Sequence, residues 1–210
     1  MKLTNIELVE LQYYMKDKTI ALIGNGNRIL EAANGKLIDS HDIVIRINGG
    51  VPIQQNLSDF IGTRNDIWSV NQDTASYINK GKDAKYILRL NPLGDNILDS
   101  EQLKMLNLFT NIYYAFGKQQ KQIKKLRDRP PFNTRYKKNK KPSTGAWTLE
   151  FLAKNIDFKY ISLFGFDFFK EFKKNKRVNV FNSYLNRKHD PVAEREYFEN
   201  IINNYDIRYY

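Results

Sequence analysis

The chain has 210 residues and a formal net charge of +11, from 34 Lys and Arg against 23 Asp and Glu. It has no cysteine and only two histidines, His41 and His189, which excludes a disulfide scaffold, a thiolate metal site, a cysteine nucleophile and a multi-histidine metal site. No apolar run approaches the roughly 20 residues of a membrane span, and the charges scattered through residues 1–18 are not typical of a signal peptide. We therefore expect one basic, cytosolic, globular domain over residues 1–210.

Short apolar runs alternate with helical patterns along the chain. The predicted strands are Thr19–Ile23, Ile43–Ile47, Ile67–Val70, Tyr86–Leu90, Ile112–Phe116, Tyr160–Gly165 and an edge strand Asp206–Tyr210. The predicted helices run from the capping box at Thr4 to about Met15, over Arg28–Ala33 and Leu103–Phe109, from the Ser143 cap to about Lys154, and onward from Asp190-Pro191. Because the strands are apolar on both faces, we predict an α/β fold, a single Rossmann-like domain with a mostly parallel sheet flanked by helices.

Glycines and polar residues follow three of these strands, where parallel sheets bind ligands. They are Gly24-Asn25-Gly26-Asn27, Asn48-Gly49-Gly50 and Gly165-Phe166-Asp167. The dinucleotide fingerprint fails, because Ile29 stands where its third glycine belongs and the second strand ends in Asn48 instead of an acid. We expect no nicotinamide or flavin cofactor. The first turn can still hold a phosphate through its backbone N–H groups, and a purely structural turn is the alternative.

Two helix starts carry further candidate chemistry. Ser143, Thr144 and Gly145 open a helix whose free N–H groups and hydroxyls form an anion site, with simple capping by Ser143 as the alternative. His189 precedes another helix, whose positive end disfavours the imidazolium form and favours the neutral form that a general base needs. Glu194, one turn into that helix, is placed to orient or polarise the histidine. A surface histidine is the alternative.

A basic segment separates these regions. Residues 118–141 contain eleven basic residues and one acid, Asp128. We interpret it as a flexible loop, either solvated, or a lid over an anionic ligand, or a patch for an anionic membrane. Phe132 and Tyr136 are its only aromatic residues and no RNA-binding signature is present, so we expect no nucleic-acid partner.

Four segments, taken together and in order, resemble the sialyltransferases of glycosyltransferase family 29. Residues 20–48 (IALIGNGNRILEAANGKLIDSHDIVIRIN) resemble the large sialylmotif, and Asp59–Arg64 (DFIGTR) resembles the stretch that closes that region. Residues 142–166 (PSTGAWTLEFLAKNIDFKYISLFGF) resemble the small sialylmotif, and His189 with Glu194 matches the very small motif, H-x4-E.

The resemblance implies the sialyltransferase variant of the GT-A fold and a reaction. That reaction moves sialic acid from CMP-sialic acid to a glycan hydroxyl, inverts the anomeric centre and needs no metal or other cofactor. It implies His189 as general base, assisted by Glu194. The donor-binding residues implied are Gly24, Asn25, Gly26, Asn27, Asn48, Ser143, Thr144, Gly145 and Gly165. Which of Asn25 and Asn27 corresponds to the family asparagine stays open.

The sequence departs from the family and leaves alternatives. Ile20 and Phe158 stand where animal members have a disulfide, and we expect the two apolar side chains to pack instead. CMP-Kdo or another CMP-ulosonate is an alternative donor, and a non-catalytic nucleotide-binding or phosphate-binding protein of the same fold is an alternative function. The acceptor is expected to be a glycan, with a lipid-linked glycan on the inner face of the cytoplasmic membrane as one option. His41 is expected to be structural.

Overall fold

A computed structural model describes residues 5–51, 53–70, 84–89, 112–114, 143–167 and 191–210. The helices of these residues are α1 (Asn5–Met15), α2 (Gly35–Asp39), α3 (Ser58–Ile61), α4 (Thr144–Asn155) and α5 (Pro191–Ile202). The strands are β1 (Thr19–Ile23), β2 (Ile43–Ile47), β3 (Ile67–Val70), β4 (Tyr86–Arg89), β5 (Ile112–Tyr114), β6 (Tyr160–Phe164) and β7 (Ile207–Tyr209). The predicted capping residue Thr4, the predicted helix at 103–109, the basic segment 118–141 and His189 lie outside the described residues.

The seven described strands form one sheet in the order β5-β4-β3-β2-β1-β6-β7, and every neighbouring pair is parallel. The predicted α/β fold with a mostly parallel sheet is confirmed, and β7 lies at the edge as predicted. The chain builds outward from β1 to β5 and then returns to place β6 on the other side of β1. The junction of β1 and β6 is therefore the point where the strand order reverses, the usual ligand position in such sheets.

Apolar side chains cover both faces of the sheet, as the sequence of its strands predicts. In β1, Ile20 and Leu22 face the larger cluster, which includes residues of α1, α4 and α5. Ala21 and Ile23 face the smaller cluster, on the side of α2 and α3. All five residues of β2 are buried. Because both faces of the sheet are buried, the strands consist of nearly continuous apolar residues.

The predicted helix Arg28–Ala33 is wrong. A short 3-10 helix, Asn27–Leu30, stands there instead, and α2 follows from Gly35. Ile29 and Ile38 both pack into the smaller cluster. Nine residues of a continuous α-helix turn through about 900°, which would put these two side chains on opposite faces. A break between them lets both be buried.

A buried arginine ties the loop after α3 to β2. Arg46 is 1% exposed and donates to the carbonyls of Ile61 (2.6 Å) and Arg64 (2.8 Å). Burial lowers the pKa of its guanidinium to about 10, so it stays charged at neutral pH. Asp39 accepts from the N–H of Thr63 at 2.8 Å. These bonds give the Asp59–Arg64 stretch a structural role at the amino end of the sheet.

Two structural expectations agree with the fold. The His41 ring is 3% exposed, donates from Nδ1 to the Leu37 carbonyl at 2.8 Å, and bonds through Nε2 to the Ser162 hydroxyl at 2.8 Å. Ile20 is fully buried in the larger cluster, and the partly buried Phe158 packs against that same cluster. His41 is thus structural, and the side chains of Ile20 and Phe158 pack into one apolar cluster.

Candidate active site

Three glycines meet at the carboxyl ends of β1 and β6. Gly24 donates its N–H to the Phe164 carbonyl (2.7 Å), and Gly26 donates to the Gly165 carbonyl (2.8 Å). A Cβ on Gly24 or Gly26 would lie 2.5 or 2.6 Å from that Gly165 oxygen. Gly165 has a φ of +69°, a conformation that favours glycine. The two strands therefore need these glycines to approach each other.

The two asparagines of the glycine turn have different surroundings. Asn25 donates from Nδ2 to the Ile47 carbonyl at 3.0 Å, which ties the turn to the end of β2. Asn27 has a buried Oδ1 with no hydrogen-bond partner among the described residues. The Asn25 side chain thus holds the fold together, whereas Asn27 has an acceptor that no described residue satisfies.

Asn48 adopts a left-handed backbone conformation directly after β2, with φ at +44°. Its carbonyl accepts from Nε1 of the buried Trp68 at 2.8 Å, and its Nδ2 donates to Oγ1 of Thr144 at 3.0 Å. Non-glycine residues rarely adopt positive φ, although asparagine does so more readily than most. The strained turn aims the Asn48 amide at the first residue of α4.

The start of α4 is capped as the sequence predicts. The Ser143 hydroxyl accepts from the N–H of Ala146 at 3.2 Å. The N–H groups of Thr144 and Gly145 have no hydrogen-bond partner among the described residues, and they lie at the positive end of the helix. Gly145 is packed under Phe166, because a Cβ there would lie 2.7 Å from the Phe166 ring. Two N–H groups are thus left for an anion.

Glu194 joins α5 to this helix start. Its side chain is buried, with the residue 3% exposed. Oε2 accepts from the Ser143 N–H at 3.0 Å, and Oε1 accepts from the Ser143 hydroxyl in a short bond. The Ser143 hydroxyl thus donates to Glu194 while it accepts from Ala146. The predicted effect of Glu194 on His189 stays a prediction, because His189 lies outside the described residues.

Those predicted site residues that the structure describes come together at one end of the sheet. Asn25 bonds to the end of β2, Asn48 bonds to Thr144, and Ser143 bonds to Glu194. The glycine turn, the second strand end and the two helices α4 and α5 thus form a single bonded arrangement. The three segments likened to the large, small and very small motifs meet here.

Three residues near this site were assigned no role from the sequence, although Asp167 belongs to a polar segment that was noted at a strand end. Trp68 fixes the Asn48 turn, and its position inside a short apolar run gives no indication of that role. Asp167 follows β6 and lies against Gly26, where a Cβ would be 2.7 Å from its Cγ. Tyr209 of β7 donates to the Phe166 carbonyl in a short bond. Burial raises the pKa of Tyr209, with Arg28 opposing this rise and Asp167 adding to it.

Within the described residues, no three His, Cys, Asp or Glu side chains are grouped so that they could hold a metal ion. No helix in the same ranges is long and apolar enough to cross a membrane.

Comparison with known proteins gives a match to one family model over part of the chain, and a fold. Residues 13–110 match the family model for glycosyltransferase family 29 (sialyltransferase), which covers the segment likened to the large sialylmotif. A crystal structure of a mammalian sialyltransferase in complex with Gal-beta-1-3GalNAc-ortho-nitrophenol is similar, with a TM-score of 0.57 and 18% identity over 98% of this chain and 77% of that one. Another mammalian sialyltransferase structure has a TM-score of 0.55 and 16% identity over 100% and 80% of the two chains. The predicted sialyltransferase variant of the GT-A fold is thereby confirmed.

Proposed function

We propose that this chain is a sialyltransferase of glycosyltransferase family 29, and that it moves sialic acid from CMP-sialic acid to a hydroxyl group of a glycan by an inverting reaction that needs no metal. The observation that carries the proposal is the bonded arrangement of the strand ends and helix starts, above all the Asn48–Thr144 bond of 3.0 Å. This bond lies beside the point where the strand order of the sheet reverses. Nucleotides bind at such a point in related parallel sheets.

The donor has two anionic groups, the phosphate of CMP and the carboxylate of the sugar. The N–H groups of Thr144 and Gly145 lie at the positive end of a twelve-residue helix, which is suited to one of these anions. Asn48 and the glycine turn supply side-chain amides and backbone N–H groups on the facing strand ends. We therefore assign the phosphate or the carboxylate to the start of α4, and the nucleoside to the turn after β1.

His189 is the proposed general base. It takes the proton of the acceptor hydroxyl while the acceptor oxygen forms a bond to the anomeric carbon of the sugar. The bond from that carbon to the phosphate oxygen breaks, and CMP leaves with the electron pair. Because a phosphate is a good leaving group, one base with electrostatic stabilisation of the departing anion is sufficient. This role follows from the H-x4-E motif, whose glutamate, Glu194, is bonded to the start of α4.

The acceptor and the donor sugar each have candidates that can be tested directly. The similar mammalian enzyme was crystallised with Gal-beta-1-3GalNAc-ortho-nitrophenol, which makes β-galactosides the first acceptors to test here. CMP-Kdo or another CMP-ulosonate is the alternative donor, since it also carries an anionic sugar on CMP.

A lipid-linked glycan on the inner face of the cytoplasmic membrane is the alternative acceptor, because the net charge of +11 favours an anionic surface. Sedimentation with vesicles that contain anionic lipid tests this option. Retention at low salt that is lost at high salt supports it, and failure of the vesicles to retain the protein at low salt contradicts it.

Transfer is tested with CMP-sialic acid and a β-galactoside in the presence of EDTA, by measuring CMP release that depends on the acceptor. We expect turnover by the wild type, loss of turnover in His189→Ala by about 10²-fold or more, and a CMP affinity in that variant within about twofold of wild type. Glu199→Gln is the control, because this exposed residue lies on α5 and pairs with Arg195 on the same helix. A turnover rate that His189→Ala leaves unchanged contradicts the proposed base.

A further inference from the structure

The carboxyl end of β6 carries an acid to which the proposed reaction assigns no role. Asp167 packs against Gly26. A Cβ on that glycine would be 2.8 Å from Oδ2 of Asp167. The residue is half-buried, at the same end of the sheet as the glycine turn. Its charge acts on Tyr209 from this position and adds to the rise in the pKa of that phenol.

A second acceptor lies in the glycine turn, next to the glycine that Asp167 packs against. Asn27 directly follows Gly26, and its buried Oδ1 has no partner in the described residues. Buried polar atoms are nearly always hydrogen-bonded, and an unsatisfied one costs about 1–3 kcal/mol. The turn thus presents one acceptor without a partner in the described residues, and a carboxylate lies against the same turn. A ligand that binds both has to bring hydrogen-bond donors.

The position of Asp167 indicates that these donors are the hydroxyl groups of a ribose. In dinucleotide-binding sheets an acid after the second strand binds the ribose hydroxyls. Here the second strand ends in Asn48, whose amide donates to Thr144 instead. Asp167 follows β6, the neighbour of β1 on its other side, so an acid is still present at the reversal point of the sheet. A carboxylate repels the donor phosphate, whereas it accepts readily from neutral hydroxyl groups.

We propose that Asp167, together with Asn27, binds the ribose hydroxyls of the CMP donor and makes the protein select ribonucleotides over 2′-deoxyribonucleotides. This inference depends on the proposed use of a CMP donor. It assigns Asp167 as a specificity-determining residue and resolves the choice between the two turn asparagines. Asn27 contacts the nucleoside, while Asn25 holds the turn to β2 through the Ile47 carbonyl.

Calorimetric titration with CMP, 2′-deoxy-CMP and UMP tests the proposal. We expect the wild type to bind CMP about tenfold more tightly than 2′-deoxy-CMP, since a lost hydrogen bond to a charged group costs about 1.5–3 kcal/mol. Asp167→Asn should weaken CMP binding about tenfold and change 2′-deoxy-CMP binding less than about threefold. Asn27→Ala should reduce the same preference, which gives a second variant if the first folds poorly.

Asp206→Asn is the matched control, because Asp206 is an exposed acid at the opposite end of β7 and should leave all three affinities unchanged. Equal binding of CMP and 2′-deoxy-CMP by the wild type overturns the inference and leaves the CMP donor intact. If Asp167→Asn weakens CMP and 2′-deoxy-CMP equally but spares UMP, the carboxylate contacts the cytosine amino group and the ribose assignment is wrong. If the wild type binds no cytidine nucleotide, the proposed function itself fails.

Discussion

Ser143 and Glu194 lie 51 residues apart in the sequence and share two hydrogen bonds at the start of α4. The glutamate is buried and sits at the positive end of that helix, where a negative charge is stabilised. Its carboxylate engages both the N–H and the hydroxyl of the capping serine. Glu194 therefore holds the start of α4 in place, whatever further effect it has on His189.

A double-mutant cycle measures this relationship. We expect Ser143→Ala and Glu194→Gln each to lower the free energy of unfolding by about 1–3 kcal/mol, because each leaves a buried polar group poorly paired. The double variant should lose less than the sum, with a coupling energy of about 1 kcal/mol or more. Chemical denaturation provides the four values. Strict additivity would show that the two side chains do not support each other.

Substitutions at Asn48 separate its backbone role from its side-chain role. Asn48→Gly keeps the positive φ, so it should change the free energy of unfolding by less than about 1 kcal/mol. Asn48→Ala should cost about 1 kcal/mol more than the glycine variant, because alanine is strained at this φ. Both remove the amide that bonds to Thr144, and both should weaken CMP binding to a similar extent. Unchanged CMP affinity in the two variants would remove Asn48 from the donor site.

Gly26 should not tolerate a side chain. In Gly26→Ala the new Cβ would meet the Gly165 carbonyl oxygen at 2.6 Å and the Asp167 carboxylate at 2.7 Å. We expect a loss of about 1–3 kcal/mol in the free energy of unfolding, since a backbone atom cannot move aside cheaply. Gly50→Ala is the control, because its Cβ would approach only a side-chain oxygen, Oδ1 of Asn25, at 3.1 Å. A Gly26→Ala protein as stable as the control would contradict the close approach of β1 and β6.

The strands were predictable from sequence because burial on both faces requires an unbroken apolar run, as in Ile43–Ile47. The end of the 3-10 helix at Leu30 was not predictable, because it depends on where Ile29 and Ile38 pack. The residue types of the candidate site were also predictable, but their pairing was not. The spacing of His189 and Glu194 predicts that these two residues act together. No feature of the sequence around Glu194 predicts its hydrogen bonds to Ser143.

Glu150 should make the stability depend on pH. Burial raises the pKa of its carboxyl, and the ion pair with Lys154 only partly opposes this rise. The unfolded chain releases this proton first, so the contribution of Glu150 to stability falls as the pH rises above 4.5, the ordinary value. At pH 7 the free energy of unfolding of Glu150→Gln should therefore be about 1 kcal/mol higher than that of the wild type. The difference should vanish near pH 4, and thermal unfolding at the two pH values measures it.

Glu31→Gln is the control for that pH series. Glu31 is exposed and pairs with Arg28 at 3.6 Å, so its loss should shift the free energy of unfolding by less than about 0.5 kcal/mol at either pH. A wild-type protein that is more stable than Glu150→Gln at pH 7 would show that the Lys154 ion pair outweighs the burial of the carboxylate.

The central claim is that the site binds a CMP-activated sugar without a metal. Calorimetry in the presence of EDTA tests it most directly, with CMP, CMP-sialic acid, CMP-Kdo, a UDP-sugar and NAD as ligands. We predict binding of the CMP compounds alone, with a preference among them that identifies the donor sugar. Binding of the UDP-sugar or NAD together with no response to any CMP compound would contradict the account.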